Sequence, residues 1–287
     1  MQPDVTAFFD EETFTVSYVV SDPETFRAAI IDSVLDFDHA SGRTQHISAD
    51  RIAAHVEKAG LKVDWVLETH VHADHVSAGD YLKHNLGGQS AIGEHVRIVQ
   101  NAFARIFNTG AGFTPDGRQF DRLFRDGEAF KIGSLEARVM HTPGHTPACI
   151  TYVIGDAAFV GDTLFMPDYG TARCDFPGGD AATLYRSICK LFTLPPETRV
   201  FLCHDYKAPG RDEYRWETTI AEQRARNVHI HAGISEAEFV AMRSSRDKTL
   251  SMPKLILPSV QINMRAGILP EPESNGVRYL KLPVDGF

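Results

Sequence analysis

A short histidine-rich stretch follows an apolar run and carries the residue types of a metal site. Residues 69 to 75 read THVHADH, directly after VDWVLE. In an extended chain alternate side chains share a face, so His70 and His72 can point at one place. Asp74 and His75 occupy the following turn. Imidazole nitrogens and carboxylate oxygens are ligands for Zn and Fe(II), so the spacing suits metal binding. A lone pair of histidines, however, more often belongs to a histidine-rich surface loop.

Three later stretches place further ligand types after expected strands. HTPGHTPAC contains His145, FVGDTLF contains Asp162 and FLCHDY contains His204. In layered α/β folds, functional sites collect outside the carboxyl ends of strands. Four such exits, each with a ligand type, strengthen the prediction of a metal centre. His141 is one more histidine nearby, but neither metal arrangement described below requires it.

The surrounding pattern predicts strands and helices that would position these exits. HISADRIAAHVEKAG predicts a helix with Ser48 as N-cap, a hydrophobic staple between Ile47 and Ile52, and Gly60 at its end. Two more helices are expected, at EHVRIVQNAFARIF and at GDAATLYRSICKLF, the second capped by Asp180. Strands are expected at FTVSYVVSD, FRAAIIDSVLDFD, KVDWVLE, SLEARVMH, CITYVIG, AAFVGD and TRVFLCHD.

The chain changes character near its C-terminus. Residues 1–234 show no repeat or linker and are expected to form one catalytic domain. Ser235 and Glu238 form a capping-box signature, and prolines punctuate the sequence that follows. We expect residues 235–287 to form a short helix and an irregular tail packed on the main domain. Apolar patches such as KLILPSVQI argue against a free tail.

Composition limits the class of protein. With 287 residues, 43% hydrophobic and 23% charged, the chain matches a globular protein with a substantial core. The net charge of −9 disfavours a nucleic-acid partner, a nuclease or a membrane surface, which need a basic field. The first residues lack a secretory signal pattern, so we expect a cytoplasmic protein. The four cysteines form no C-x-x-C pair and are expected to be reduced.

The four metal-rich motifs together resemble those of the metallo-β-lactamase superfamily. THVHADH, HTPGHT, GDTLF and CHDY occur in the order and at the separations of that superfamily, over roughly residues 10–230. The resemblance implies an α/β fold, the αββα four-layer metallo-β-lactamase sandwich, with a short C-terminal extension. The site would lie in the crevice between its two sheets. A secreted β-lactamase is disfavoured by the missing signal pattern.

In the hydrolases of this superfamily, two metals share a bridging aspartate. By resemblance, the first metal would be bound by His70, His72, His145 and Asp162. The second would be bound by Asp74, His75, His204 and the same Asp162. A water between the metals would then attack a thioester such as S-lactoylglutathione, which is the glyoxalase II reaction. Every ligand is present, so the ligand count does not exclude this arrangement.

A second branch of the superfamily is more similar in the surrounding sequence. MPDYGTARCDFPGGDAATLYRSICKLFTLP, followed by FLCHDY, resembles the persulfide dioxygenases more than glyoxalase II. That family implies one Fe(II) per chain, with Zn as an alternative in purified protein, bound by His70, His145 and Asp162. Two histidines and one carboxylate form the facial triad of non-haem iron oxygenases. The groups that would orient ligands and waters are His72, Asp74, His75 and His204.

The same resemblance implies the substrates, glutathione persulfide and O₂, and the residues that bind them. Arg173 and Tyr206 match the family's glutathione-binding arginine and tyrosine, and Thr146 could donate a hydrogen bond nearby. Each residue also has a structural alternative: a loop-bracing ion pair, a packed aromatic ring or a turn. Thr171 departs from the mitochondrial members, which have cysteine there, and the longer tail resembles bacterial members, including β-lactamase-like hydrolases.

One rival from another class stays open: a metal- or sulfur-binding protein without turnover. No rhodanese-like module is visible, so a fused sulfurtransferase is not expected in this chain. A homodimer is kept as one assembly that the chain could form.

Overall fold

The computed structural model describes residues 2–110 and 112–286, which form two large sheets, one small sheet and the helices around them. The strands are β1 Asp4–Asp10, β2 Thr15–Ser21, β3 Arg27–Ile31, β4 Val34–Asp38, β5 Arg43–Gln45, β6 Lys62–Leu67, β7 Val76–Ser77, β8 Gln89–Gly93, β9 Arg122–Phe124, β10 Ala129–Ile132, β11 Leu135–His141, β12 Ile150–Ile154, β13 Ala157–Phe159, β14 Arg199–Phe201 and β15 Glu217–Thr219. The helices are α1 Ile47–Lys58, α2 Gly79–Leu86, α3 Val96–Ile106, α4 Ala181–Leu191, α5 Ile220–Arg226, α6 Glu236–Asp247 and α7 Ile256–Asn263.

Two six-stranded sheets form the centre of the molecule. Their spatial orders are β1-β2-β3-β6-β8-β9 and β10-β11-β12-β13-β14-β15, and β5-β4-β7 form the small sheet. In the first large sheet β3, β6, β8 and β9 are parallel, and in the second β13 is parallel to β14. The carboxyl ends of parallel strands meet at one edge of a sheet, and the loops with the metal motifs begin at such ends.

The alternation of side chains along the strands explains the layering. In β3, Ala29 and Ile31 belong to the core between the sheets, whereas Ala28 and Ile30 belong to a cluster with α1 and α2. Both faces of the strand are therefore buried, which accounts for its continuous apolar sequence. On the second sheet, Leu184 of α4 and Phe239 of α6 share a cluster with the outer face. The helix–sheet–sheet–helix arrangement confirms the predicted αββα sandwich.

Most predicted helix ends are confirmed. Gly60 follows α1 with a φ of 64°, in the left-handed region where glycine is favoured. The Asp180 carboxylate accepts a hydrogen bond from the Thr183 N–H (2.7 Å) and caps α4. Ser235 and Glu238 form the predicted capping box of α6.

The predicted start of α1 is wrong. The helix begins at Ile47, and its N-cap is His46 rather than Ser48. The N–H and hydroxyl of Ser48 both donate to the Asp36 carboxylate, at 3.0 and 2.8 Å. A carboxylate from β4 thus accepts from the first turn of α1, as a capping side chain would. Ile47 is 62% exposed, so the predicted hydrophobic staple does not form.

The C-terminal segment contains a second helix, so the prediction of an irregular tail is wrong for residues 256–263. α6 packs against α4 on one outer layer, and α7 shares clusters with α3 and α2 on the other. Pro258 lies in the first turn of α7, where a missing N–H removes no helical hydrogen bond. The domain boundary at residue 235 stays a prediction, although both helices join the clusters of the main body.

Two smaller observations bear on the sequence predictions. All four cysteines are free, and Cys149, Cys174 and Cys203 are buried. Among residues 2–110 and 112–286, no helix combines the length and the apolar character needed to cross a bilayer.

Candidate metal centre

The loops that follow four strands bring the predicted ligand types together at one edge of the sandwich. The loop after β6 carries His70, and the β11–β12 connection carries His145. Asp162 follows β13 and His204 follows β14. Ligand atoms of His70, His145 and Asp162 lie within 4.8 Å of one another. A second group with the same spacing consists of His72, Asp74, His75 and His204.

Several buried polar atoms at this centre have no hydrogen-bond partner within the described residues. They are His70 Nε2, His72 Nδ1, His75 Nε2, His204 Nε2 and Asp162 Oδ1. An unsatisfied buried polar atom costs about 1–3 kcal/mol, so five in one place would be a heavy cost without a ligand. These imidazole nitrogens and the carboxylate oxygen are metal-ligand types, and a metal ion in the first group would satisfy His70 Nε2 and Asp162 Oδ1. The other three atoms belong to the second group, where another metal or a water would satisfy them. The residues present therefore fit a metal ion.

The second ring nitrogen of each histidine explains which atom is free for a metal. His145 Nδ1 lies 2.8 Å from the Arg173 carbonyl oxygen, which can only accept, so Nδ1 carries the proton. His204 Nδ1 faces the Phe14 carbonyl oxygen at 3.2 Å in the same way. In this tautomer Nε2 of His145 keeps its lone pair. Burial opposes protonation of His204, but Asp74, Cys203 and Asp162 raise its pKa well above its usual value, so its Nε2 releases a proton when it binds a metal. Contacts of this kind orient metal-binding histidines in proteins.

Two groups at the centre, His70 and Asp74, are held in the forms that can bind a metal. Burial, with the neighbouring His72 and His145, holds the pKa of His70 well below its usual value, so the ring stays neutral. Burial would raise the pKa of Asp74, but the adjacent His204 and His75 lower it well below its usual value. A neutral imidazole and an ionised carboxylate are the forms that metal binding requires.

Asp32 supports the metal loop and was missed by the sequence analysis. Its carboxylate accepts from the Thr69 N–H (2.7 Å) and hydroxyl (2.8 Å), and lies 3.0 Å from His72 Nε2. Burial opposes ionisation of Asp32, but His72 and the Thr69 hydrogen bonds lower its pKa. The contact leaves His72 Nδ1 free. Asp32 follows the apolar run AAII, so the strand-exit argument used for Asp162 would have found it.

Asn263, the last residue of α7, binds the metal loop from the other side and was also missed. Its Nδ2 donates to the carbonyl oxygens of His72 (2.9 Å) and His75 (2.7 Å). Its Oδ1 accepts from the Ser77 N–H at 2.8 Å. The Ser77 hydroxyl in turn donates to the Glu68 carboxylate. The loop between β6 and α2 is thus bound by a residue that lies 188 to 191 positions later in the chain, and no local sequence signal indicates this contact.

Glycine in the GDTLF motif is required by a close approach. Gly161 has a φ of +50°, and a Cβ there would lie 2.5 Å from the Thr69 hydroxyl oxygen. Any larger residue would push apart the loops that carry Asp162 and His70. The glycine therefore sets the spacing between two of the predicted ligands.

A cavity of about 480 Å³ opens beside the centre and is bordered by His145, Asp162 and Asp74. Tyr206 lines it, with its ring 5.3 Å from that of Tyr169, and its role in substrate binding stays a prediction. Within the described residues the Tyr206 hydroxyl makes no hydrogen bond, and the side chain is 37% exposed. The hydroxyl is thus available to a ligand.

Arg173 also lines this cavity, but its guanidinium is engaged. Nε and Nη2 donate to the Asp175 carboxylate at 2.6 and 2.7 Å, and Nη1 donates to the Ser251 carbonyl oxygen at 2.6 Å. A substrate carboxylate would have to compete with Asp175. Thr146 uses its hydroxyl within its own turn, 3.0 Å from Cys149 Sγ and 3.3 Å from the Ala148 nitrogen.

His141 and Thr171 lie outside the candidate metal centre. His141 Nε2 lies 2.9 Å from the Pro147 carbonyl oxygen, and His141 belongs to neither ligand group among the described residues. Thr171 donates its N–H to His229 Nδ1 at 3.0 Å. Neither residue contributes a ligand atom to the centre.

The protein has two facing sheets with helices outside them, and histidine and aspartate side chains lie together at one edge. This arrangement defines the class of αββα metal-binding sandwiches. The family model described as "Metallo-beta-lactamase superfamily" matches residues 11–204. The chain belongs to the metallo-β-lactamase superfamily.

Curated relatives and one solved structure differ in the activities that their names give. A probable metallo-hydrolase of Burkholderia pseudomallei is 58% identical over 99% of both chains. Glyoxylase B2 of Dictyostelium discoideum is 48% identical over 98% of this chain and 97% of its own. The mitochondrial persulfide dioxygenase ETHE1 of Bos taurus is 31% identical over 92% of this chain and 89% of its own. The crystal structure of ETHE1 from Myxococcus xanthus, 33% identical, matches with a TM-score of 0.73 over 92% of this chain and 100% of that chain.

Proposed function

We propose that the protein is a persulfide dioxygenase that oxidises glutathione persulfide at one Fe(II). The observation that carries the proposal is the compact group of His70, His145 and Asp162, two histidines and one carboxylate without His72. Such a triad leaves positions open on non-haem iron. The similarity to ETHE1 proteins in sequence and structure supports the same branch.

The residues of the chain would orient the substrates and the metal. When bound, Fe(II) would supply the redox chemistry with O₂. The Arg173 carbonyl oxygen fixes the proton of His145 on Nδ1, and the Thr69 hydroxyl lies 3.0 Å from His70 Nδ1. The ring of Tyr206 lies beside that of His204 at 5.6 Å and forms part of the cavity wall. These contacts would hold the persulfide in a fixed position, and fixed positions lower the entropic cost of reaction.

The overall reaction balances with water as the third reactant. Glutathione persulfide, O₂ and water would give glutathione, sulfite and protons. The outer sulfur is oxidised, O₂ is the oxidant, and the bond between the two sulfur atoms breaks. The glutathione thiol leaves unchanged in oxidation state and protonated.

A second candidate, a dinuclear thioester hydrolase similar to glyoxalase II, is favoured by a different observation. His72, Asp74, His75 and His204 form a second compact group, and Nε2 of both His75 and His204 is buried without a hydrogen bond within the described residues. A relative named glyoxylase B2 is 48% identical. Water would then cleave the carbon–sulfur bond of S-lactoylglutathione to give lactate and glutathione.

Metal analysis of anaerobically purified protein, combined with two assays, tests these candidates. We expect one iron per chain and oxygen uptake on glutathione persulfide. Two zinc ions per chain with rapid S-lactoylglutathione hydrolysis would establish the hydrolase instead. Bound metal with neither activity would indicate a non-catalytic metal- or sulfur-binding protein. The cytoplasmic location and the homodimer stay predictions.

A further inference from the structure

The active-site cavity is lined by four cationic side chains, of which two are neutralised. The four are Arg173, Arg243, Arg246 and Lys254. Arg173 is paired with Asp175, as described above. Arg243 is buried and paired with Asp247, with Nε donating at 2.9 Å, and it also donates to the Thr171 carbonyl oxygen. Within the described part of the chain, Arg246 and Lys254 have neither a hydrogen bond nor an ion pair through their side chains.

Both free cations come from the C-terminal segment. Arg246 lies in the last turn of α6, and its guanidinium carbon is 5.9 Å from the centre of the Tyr169 ring. Lys254 lies just before α7, and Leu250, Ser251 and Pro253 line the same cavity between them. The connection between the two helices therefore forms one wall of the cavity. The loops that carry the metal ligands contribute other lining residues.

The carboxylates around the cavity rank the two cations. Asp74 and Asp162 belong to the candidate metal centre, and Glu12 is a third carboxylate that lines the cavity. Lys254 also borders a smaller cavity with Asp10, Glu12 and Asp36, so carboxylates already offset part of its charge. Arg246 does not border that smaller cavity. In a chain with a net charge of −9, a cation without a partner beside a cavity is the place to which an anionic ligand is attracted.

We propose that Arg246, assisted by Lys254, binds a carboxylate of the substrate while the substrate's sulfur lies at the metal centre. This inference rests on the proposed function and deepens it by naming the side chains that would recognise the charged end of the substrate. A guanidinium binds a carboxylate through two parallel hydrogen bonds. A cavity of about 480 Å³ lies in the size range of small-ligand sites.

Variants compared on charged and uncharged substrates test the proposal. The variants are Arg246→Gln, Lys254→Gln and, as a matched control, Lys248→Gln, an exposed cation at the end of α6 that does not line the cavity. The substrates are glutathione persulfide and the persulfide of glutathione diethyl ester, which lacks both carboxylates. We expect Arg246→Gln to raise KM for the acid about 10- to 100-fold with a small change in kcat, the order for one charged hydrogen bond.

The ester separates recognition of charge from a general disturbance of the cavity. With the ester, Arg246→Gln should leave KM near that of the unmodified protein. Lys254→Gln should raise KM for the acid by a smaller factor, and Lys248→Gln should not change it. An unchanged KM for Arg246→Gln on the acid, or an equal rise on acid and ester, overturns the proposal.

Calorimetric titration with glutathione itself distinguishes failure of the inference from failure of the proposed function. If the protein takes up no oxygen but binds glutathione, and Arg246→Gln weakens that binding at least 10-fold, the dioxygenase proposal fails and the carboxylate site stands. If oxygen uptake is present and Arg246→Gln changes neither KM nor binding, the dioxygenase stands and the carboxylate site fails. If the protein neither turns over nor binds glutathione, the carboxylate site is also refuted.

Discussion

Replacing Asn263 by alanine should weaken both the fold and the metal site, because one amide satisfies three backbone groups of the metal loop. The lost partners are the carbonyl oxygens of His72 and His75 and the N–H of Ser77. Asn263 is only 4% exposed, so water cannot readily replace it. At about 1 kcal/mol for each hydrogen bond, the free energy of unfolding should fall by about 3 kcal/mol.

The loss should extend to metal affinity, since the two carbonyl groups belong to residues of the candidate centre. Loss of a group that orients metal ligands commonly lowers affinity about 10- to 100-fold. Urea unfolding of the metal-free protein measures the stability change, and competition with a chelator measures metal affinity. We therefore expect Asn263→Ala to reduce both quantities in the same preparation.

Gln261→Ala is the matched control on the same helix. Gln261 also makes three hydrogen bonds through its amide, to the Leu257 carbonyl oxygen and to the backbone of Lys281, but none to the metal loop. It should lower stability without changing metal affinity. Unchanged metal affinity in Asn263→Ala would refute the reasoning, and an equal loss in Gln261→Ala would attribute the effect to docking of α7 in general.

Three further predictions follow from the structure. His70→Ala should abolish iron retention, whereas His75→Ala should keep most of the iron and lower the rate about 10- to 100-fold; metal analysis of both variants checks this, and loss of one metal with retention of another from His75→Ala would indicate a dinuclear centre. Asp32→Asn should weaken metal binding about 10- to 100-fold in chelator competition, because Thr69 and His72, on either side of the ligand His70, lose the carboxylate that fixes them, and wild-type affinity would contradict this role. Burial, with Arg243 and Arg246, lowers the pKa of His229 to about 4 in the folded chain. Between about pH 6.5 and 4, His229 is therefore protonated in the unfolded chain but neutral in the folded chain. Stability should therefore fall by roughly 2 kcal/mol between pH 6.5 and 4, a value reduced for partial exposure, and urea unfolding should show a weaker pH dependence in His229→Asn.

The parts predicted from the sequence are those with a local signal. The strands before the metal motifs, the capping box at Ser235 and the cap at Asp180 depend on neighbouring residues, and all are confirmed. The start of α1 was wrong because the group that binds its first turn, Asp36, lies on another strand. The extent of α7 was missed because Pro258 suggests a helix break, whereas in a first turn it costs no hydrogen bond.

The predicted ligand set shows the same division. The predicted ligands lie together because each follows the end of a strand. Whether Arg173 is free to bind a substrate depends instead on Asp175 and on Ser251, which is distant in sequence. The motif specifies an arginine at that position without specifying its partner. A motif match therefore predicts where a side chain lies better than it predicts whether its charge is free to bind a substrate.

The C-terminal segment connects the two halves of the site. It leaves one outer helix layer at α6, lines the cavity between residues 250 and 254, and reaches the other layer at α7. Because Asn263 binds the metal loop and Arg246 lines the cavity, one segment contacts both the candidate metal centre and the cavity beside it. A change in this segment can therefore alter substrate choice without touching a ligand. Relatives that share the four motifs but differ after residue 235 need not share a substrate.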